Sequence, residues 1–197
     1  ADHIIRPVDD FRAALKHGFD LAHADPTALV TFGVVPTEPN TGFGYLHRGG
    51  PLRPGSHAHQ VLEFVEKPSS EVARQYLDSG EYWWNSGMFV WRAATLLDCL
   101  SQLKPQTRRH VDELVAEPSR LADIYPLMEK VSVDIAVMEP ASHGGCGVHV
   151  AAIPLEIQWY DVGSYEALAP HLPGDGKGNN VTGLTAVSYT HLTLPTI

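Results

Sequence analysis

The sequence predicts an α/β protein built on a mixed, mostly parallel sheet. Three observations carry that expectation. Residues 28–35 form a continuous apolar, β-branched run between Pro26 and Pro36, the mark of a strand covered on both faces. Segments with helical spacing alternate with such short runs along the chain. A chain of 197 residues, 44% of them hydrophobic, can also bury a real core, roughly 70% of its unfolded surface.

In chain order, the opening residues look like the end of a buried strand, as though the sequence begins inside a domain. Asp9 or Asp10 can cap a helix whose Phe11, Ala14, Leu15 and Ala22 recur at helical spacing, and Asp25-Pro26 stops it. After the strand at 28–35, residues 36–55 are rich in Gly and Pro and are expected as loop, with short hairpin strands around Tyr45-Leu46. A strand at 61–65 ends before Pro68. Ser69 or Ser70 then caps a helix through Leu77, with Gly80 as its left-handed stop. A short strand is expected at 88–91. Helices are expected at 93–103, 108–115 and 121–128, a strand at 148–153, and a helix capped by Ser164 over 165–172. Residues 173–183, which include Pro-Gly-Asp-Gly-Lys-Gly-Asn-Asn, read as a linker. Residues 184–197 continue no upstream pattern and are expected to be foreign to the fold.

Composition excludes several classes. A net charge of −9, with Arg108-Arg109 the nearest thing to a basic cluster, argues against a nucleic-acid surface. No apolar run approaches the roughly 20 residues that span a bilayer, so no membrane partner is expected. Cys99 and Cys146 form no CxxC, which removes a zinc ribbon or thioredoxin-like motif and favours a reducing, cytoplasmic setting.

Four segments could carry chemistry. Phe64-Val65-Glu66-Lys67-Pro68 ends a strand in an acid and a base, at the sheet edge where α/β folds place ligands. Lys67 is a point charge suited to phosphate and Glu66 an acceptor suited to sugar hydroxyls, although the same pair also serves as a solvated loop ion pair. Asn85-Ser86-Gly87 places an amide that both donates and accepts beside a residue without a side chain, either for a polyhydroxylated ligand or as a turn before a core strand. Asp161, between a strand and a helix start in Trp159-Tyr160-Asp161-Val162-Gly163-Ser164, can hold Mg²⁺ beside phosphates or cap the helix. Asp2 would supply a second carboxylate for that ion, unless it belongs to a frayed terminus. Other patterns weigh less. Gly42-Phe43-Gly44 opens no dinucleotide fingerprint, His143, Cys146 and His149 lack a fourth metal ligand, and no GxSxG, HExxH or P-loop occurs.

Taken jointly and in this order, these segments resemble the bacterial sugar-nucleotide pyrophosphorylases, in their mannose-1-phosphate guanylyltransferase branch, over approximately residues 1–183. The motifs that carry the resemblance are Ala1-Asp2-His3, Pro39-Asn40-Thr41-Gly42-Phe43-Gly44-Tyr45, Phe64-Val65-Glu66-Lys67-Pro68, Asn85-Ser86-Gly87-Met88-Phe89, Ser132-Val133-Asp134-Ile135-Ala136-Val137-Met138-Glu139 and Trp159-Tyr160-Asp161-Val162-Gly163-Ser164.

The resemblance implies a Rossmann-like nucleotidyltransferase fold. Residues 1–172 would be the sugar-phosphate-binding half of a catalytic domain. It implies Asp2 and Asp161 as ligands of Mg²⁺ and, with Lys67, as catalytic residues. Lys67 would take the phosphate of mannose 1-phosphate, and Gly44, Glu66 and Asn85 the hexose. GTP is the implied nucleotide, and GDP-mannose and pyrophosphate the products. Position 165 is Tyr where many members have Trp or Phe. The family's Gly-rich phosphate loop, GxGxRLxP, is absent, so the chain is expected to be catalytically incomplete by itself. Thymidylyl or uridylyl transfer to another hexose 1-phosphate, and a non-catalytic regulatory subunit that binds sugar nucleotide, remain open. So does homo-oligomerisation, because a partial domain exposes core surface that imitates an interface.

Overall fold

A computed structural model describes residues 2–172. The linker expected at 173–183 and the tail at 184–197 lie outside the described residues. Two compact units emerge, Arg6–Ile157 and a smaller one formed by the described parts of Ala1–Ile5 and Gln158–Ile197.

The larger unit is organised around a closed barrel whose strands run in the order β2 (Ala28–Val34), β5 (Tyr82–Val90), β3 (Tyr45–Pro51), β4 (His59–Val65), β6 (His149–Leu155). Every residue of β2 is buried, as its unbroken run of apolar and β-branched residues requires. The helix α1 (Val8–Ala24) covers β2 and β6 with its buried Ala14, Gly18, Leu21 and Ala22. Small residues let it lie close: a Cβ at Gly18 would stand 2.9 Å from the Phe32 ring. On the far side, Leu29, Leu46, Val61, Phe64 and Trp83 meet Cys99 of α3 (Ala93–Leu103) and the segment Ala136–Met138 in one apolar core.

The α/β class holds, but the expectation of a mostly parallel sheet does not. Among the described ladders of the barrel, β2 and β6 are parallel, whereas β2–β5, β3–β4, β3–β5 and β4–β6 are antiparallel. The alternation of helical and apolar segments marks where strands lie, not the sense of their neighbours. Here β3 and β4 are joined directly by the turn around residues 52–58, and α2 (Ser70–Ser79) is an excursion between two strands that are not paired with each other.

Local signals fared unevenly. Ser69 caps α2 by accepting the Val72 N–H, and Gly80 ends it in the left-handed region at φ 66°, both as expected. By contrast α1 starts at Val8 behind Pro7 with no side-chain cap, so Asp9 and Asp10 sit in its first turn, where they complement the helix dipole. The strand expected at 88–91 starts earlier, at Tyr82, so that Asn85-Ser86-Gly87 lie within it rather than in a turn before it. The helix α4 extends over Pro105–Ala116. The helix expected at 121–128 breaks into α5 (Leu121–Ile124) and a 3₁₀ turn, because Pro126 interrupts it.

In the smaller unit, β1 (His3–Arg6) and β7 (Gln158–Asp161) form a two-stranded sheet. The His3 ring meets the edge of Trp159 with centroids 5.3 Å apart. α7 (Tyr165–Leu168) and a 3₁₀ turn at Ala169–His171 follow.

Candidate functional site

Four of the sequence-predicted residues come together in the larger unit. Gly44 immediately precedes β3, Glu66 and Lys67 follow β4, and Asn85 lies within β5. Since β3 pairs with both other strands, their ends converge. Gly44 accepts the Asn85 backbone N–H at 2.7 Å. A Cβ at Gly44 would stand 2.7 Å from Glu66 Oε2 and 3.3 Å from the Asn85 Cβ, so any side chain there would displace the carboxylate. Glycine at this position lets the acid and the amide approach the backbone closely.

Asn85 is turned inward by an irregularity in β5. Thr31 pairs with Phe89 and Gly33 with Asn85, so that β5 spends Ser86–Met88 where β2 spends Phe32 alone. Gly87 makes the extra loop possible at φ 71°. The Thr31 hydroxyl donates to Asn85 Oδ1 at 2.8 Å, and Asn85 Nδ2 donates to Asp134 Oδ1 at 3.1 Å. Both ends of a nearly buried amide are thereby oriented.

Glu66 is held at its backbone. Its N–H donates to Glu139 Oε1 at 2.8 Å, while the Ser142 hydroxyl accepts the Phe64 N–H at 3.0 Å, so α6 (Glu139–Ser142) clamps the end of β4. The Glu66 side chain is largely covered and its carboxyl is pushed above the usual carboxylate range. Burial is the main cause, the neighbouring Asp134 adds to it, and Lys67 opposes it. Lys67 stands 3.2 Å from Glu66 Oε1 with its side chain largely in solvent. It adopts φ 48°, in the left-handed region uncommon for a residue with a Cβ. An exposed cation beside a set of fixed acceptors suits a ligand with one anionic end and one hydroxyl-rich end.

Asp134, Glu139 and Thr31 have no assigned role in the sequence analysis. Thr31 is the one hydroxyl inside the apolar run of β2. Asp134 and Glu139 bracket the apolar residues Ile135–Met138, where Asp134–Met138 forms a wide π turn that brings both acids to the site. Polar residues interrupting buried apolar segments are the signal that marks them.

Asp2 and Asp161 lie in the smaller unit. The Val162 N–H donates to the Asp2 carbonyl at 2.8 Å, which places the start of β1 against the end of β7. Gly163 follows without a side chain, and a Cβ there would stand 3.6 Å from Asp161 Oδ1. Among the described residues no group of three or more His, Cys, Asp or Glu is placed to hold a metal by itself. Two hard carboxylate oxygens still fit Mg²⁺, which is commonly held by one or two carboxylates together with substrate phosphates and water. A cleft of about 460 Å³, lined by Asp25, Arg53, Gln60 and His149 among others, contains none of these residues.

Residues 1–173 match the family model described as nucleotidyl transferase. The chain belongs to the nucleotidyl transferase family. A mannose-1-phosphate guanylyltransferase of Escherichia coli is 38% identical over 191 residues, covering 93% of this chain and 39% of that protein. This nucleotidyl transferase chain thus spans about two-fifths of the length of the curated relatives it matches. A crystal structure described as a mannose-1-phosphate geranyltransferase from Thermus thermophilus superposes with a TM-score of 0.73 at 31% identity, covering 86% of this chain and 47% of the other. One described as a mannose-6-phosphate isomerase from Helicobacter pylori gives 0.66 at 29% identity, covering 81% and 61%. Among the described residues of this nucleotidyl transferase chain, no helix is long and apolar enough to cross a membrane.

Proposed function

We propose that this chain is the sugar-phosphate-binding part of an Mg²⁺-dependent enzyme that transfers the guanylyl group of GTP to α-D-mannose 1-phosphate, giving GDP-mannose and pyrophosphate. The observation that carries the proposal is the convergence of Gly44, Glu66, Lys67 and Asn85, an acid and an oriented amide held side by side with one exposed cation next to them. The names of the similar proteins, which concern mannose phosphates, support the sugar.

In the proposed reaction an oxygen of the sugar phosphate attacks the α-phosphorus of the triphosphate, and the bond to the β-phosphate oxygen breaks. Two anions must meet, so catalysis is positional and electrostatic, without a covalent enzyme intermediate. Lys67 offsets charge on the nucleophilic phosphate. Glu66 and the Asn85 amide hold the hexose hydroxyls, with the amide oriented by Thr31 and Asp134. Asp2 and Asp161 would hold Mg²⁺, which when bound neutralises and aligns the triphosphate.

Calorimetric titration of the chain with mannose 1-phosphate tests the sugar half, with glucose 1-phosphate as the competitor. Turnover is tested by grafting the chain onto the matching segment of the Escherichia coli relative and following pyrophosphate release with each nucleoside triphosphate. Lys67→Ala should mainly weaken sugar-phosphate binding, and Asp161→Asn should lower turnover at least a hundredfold, on the order of ~3 kcal/mol of barrier, with sugar binding retained. The reverse pattern would reject the role assignment, and turnover confined to dTTP or UTP with glucose 1-phosphate would reject the guanylyl reading.

A further inference from the structure

The chain has two cysteines, and both are free. Cys99 lies on the inner face of α3, fully buried in the core cluster of the larger unit. Cys146 lies in the Gly-rich turn at Gly145–Gly147, distant in sequence, and packs against the same cluster. Helix α3 packs directly against the turn that carries Cys146, and the Cys146 thiol lies near enough to Cys99 to raise its pKa. Cys146 sits at φ 59°, between Gly144 at φ 84° and Gly147 at φ 66°. A side chain is therefore carried in a left-handed conformation amid neighbours that could adopt it freely. The histidines that share spacing with Cys146 are engaged elsewhere: His149 Nε2 is 3.6 Å from Asp25, and His143 Nδ1 is 2.9 Å from the Glu139 carbonyl. No metal group forms among the described residues.

We propose that Cys99 and Cys146 form a redox modification site, closing reversibly into an intramolecular disulfide that ties α3 to the turn leading into β6. The oxidant is a small disulfide of the glutathione class. The Cys146 thiolate, on the partly exposed side, attacks one sulfur of the oxidant, whose S–S bond breaks and releases one thiolate. Cys99 then gives its proton to solvent, and its thiolate attacks Cys146 Sγ and displaces the second thiolate. The protein pair loses two electrons and two protons, and the oxidant becomes two thiols. Burial, and then the neighbouring Cys146 thiol, push the Cys99 thiol up to about 12, so the second step limits the rate. The bond would immobilise the turn just after Ser142 and Glu139, which clamp the end of β4.

The test equilibrates the reduced full chain with glutathione buffers of rising oxidised fraction, followed by alkylation and mass spectrometry. The expected product has lost two hydrogens, carries no glutathione, yields a Cys99–Cys146 cross-linked peptide and returns to the dithiol with dithiothreitol. Cys99→Ala should instead keep a glutathione adduct on Cys146. In the unaltered chain, which needs no variant to fold, ring closure should accelerate about tenfold per pH unit as the Cys99 thiolate fraction grows. A lasting glutathione adduct on Cys146 beside a reduced Cys99, a disulfide-linked dimer, or two free thiols at the most oxidising ratio would each overturn the proposal.

Discussion

Glu66 shows how one residue ties the site to stability. Its carboxyl is raised above the ordinary value of 4.5 by burial and by the charge on Asp134, with Lys67 only partly compensating. The native state therefore holds a proton that the unfolded chain has already released. Stability from this group is fully present below the unfolded value and is lost as pH climbs through the raised native value. Glu66→Gln removes the titration. In urea unfolding at a series of pH values, the stability of the parent relative to this variant should fall as pH rises above 4.5. A difference that stays level across that range would show that Glu66 titrates alike in both states.

The decisive element is the irregular β5. Its two ends pair with β2 in different registers, and the length taken up by Ser86–Met88 brings the Asn85 amide beside the Thr31 hydroxyl. Gly87 carries the bend at φ 71°, and a Cβ there would meet nothing within 4 Å. Gly87→Ala should therefore act through backbone strain alone, destabilising the protein by about 1–2 kcal/mol without a packing defect. Thermal unfolding would read the loss, and calorimetry should show weaker sugar-phosphate binding as Asn85 loses its orientation. Unchanged binding in a destabilised variant would separate the bulge from the site. The sequence marks Gly87 as a special position but leaves a turn before the strand as one reading, because local composition cannot show that the flanking residues already pair with strands distant in the chain. In α2 every determinant is local, and the cap at Ser69 and stop at Gly80 are legible directly.

On the scale of the molecule, charge sets a further expectation. Under the proposed function, a chain of net charge −9 would repel a sugar phosphate at long range and attract it only near Lys67. Salt near 0.1 M screens fields beyond about 10 Å and leaves the contact at the cation largely intact. Stopped-flow association of mannose 1-phosphate should accelerate or stay level as salt is added, opposite to the fall seen when a basic surface gathers an anion. A falling rate would mean that local attraction dominates the approach. The amino-acid order alone was enough for the α/β class, most element positions and the net negative charge, because periodicity and capping act over a few neighbouring positions, while Glu66, Lys67 and Asn85 stood out by their chemistry and Gly44 only through the family resemblance. It did not yield the mostly antiparallel barrel, the inward turn of Asn85, or the contacts of Thr31, Asp134 and Glu139. Those depend on which strands and turns meet across long stretches of chain, a choice made by burial and by satisfying polar groups in the finished core.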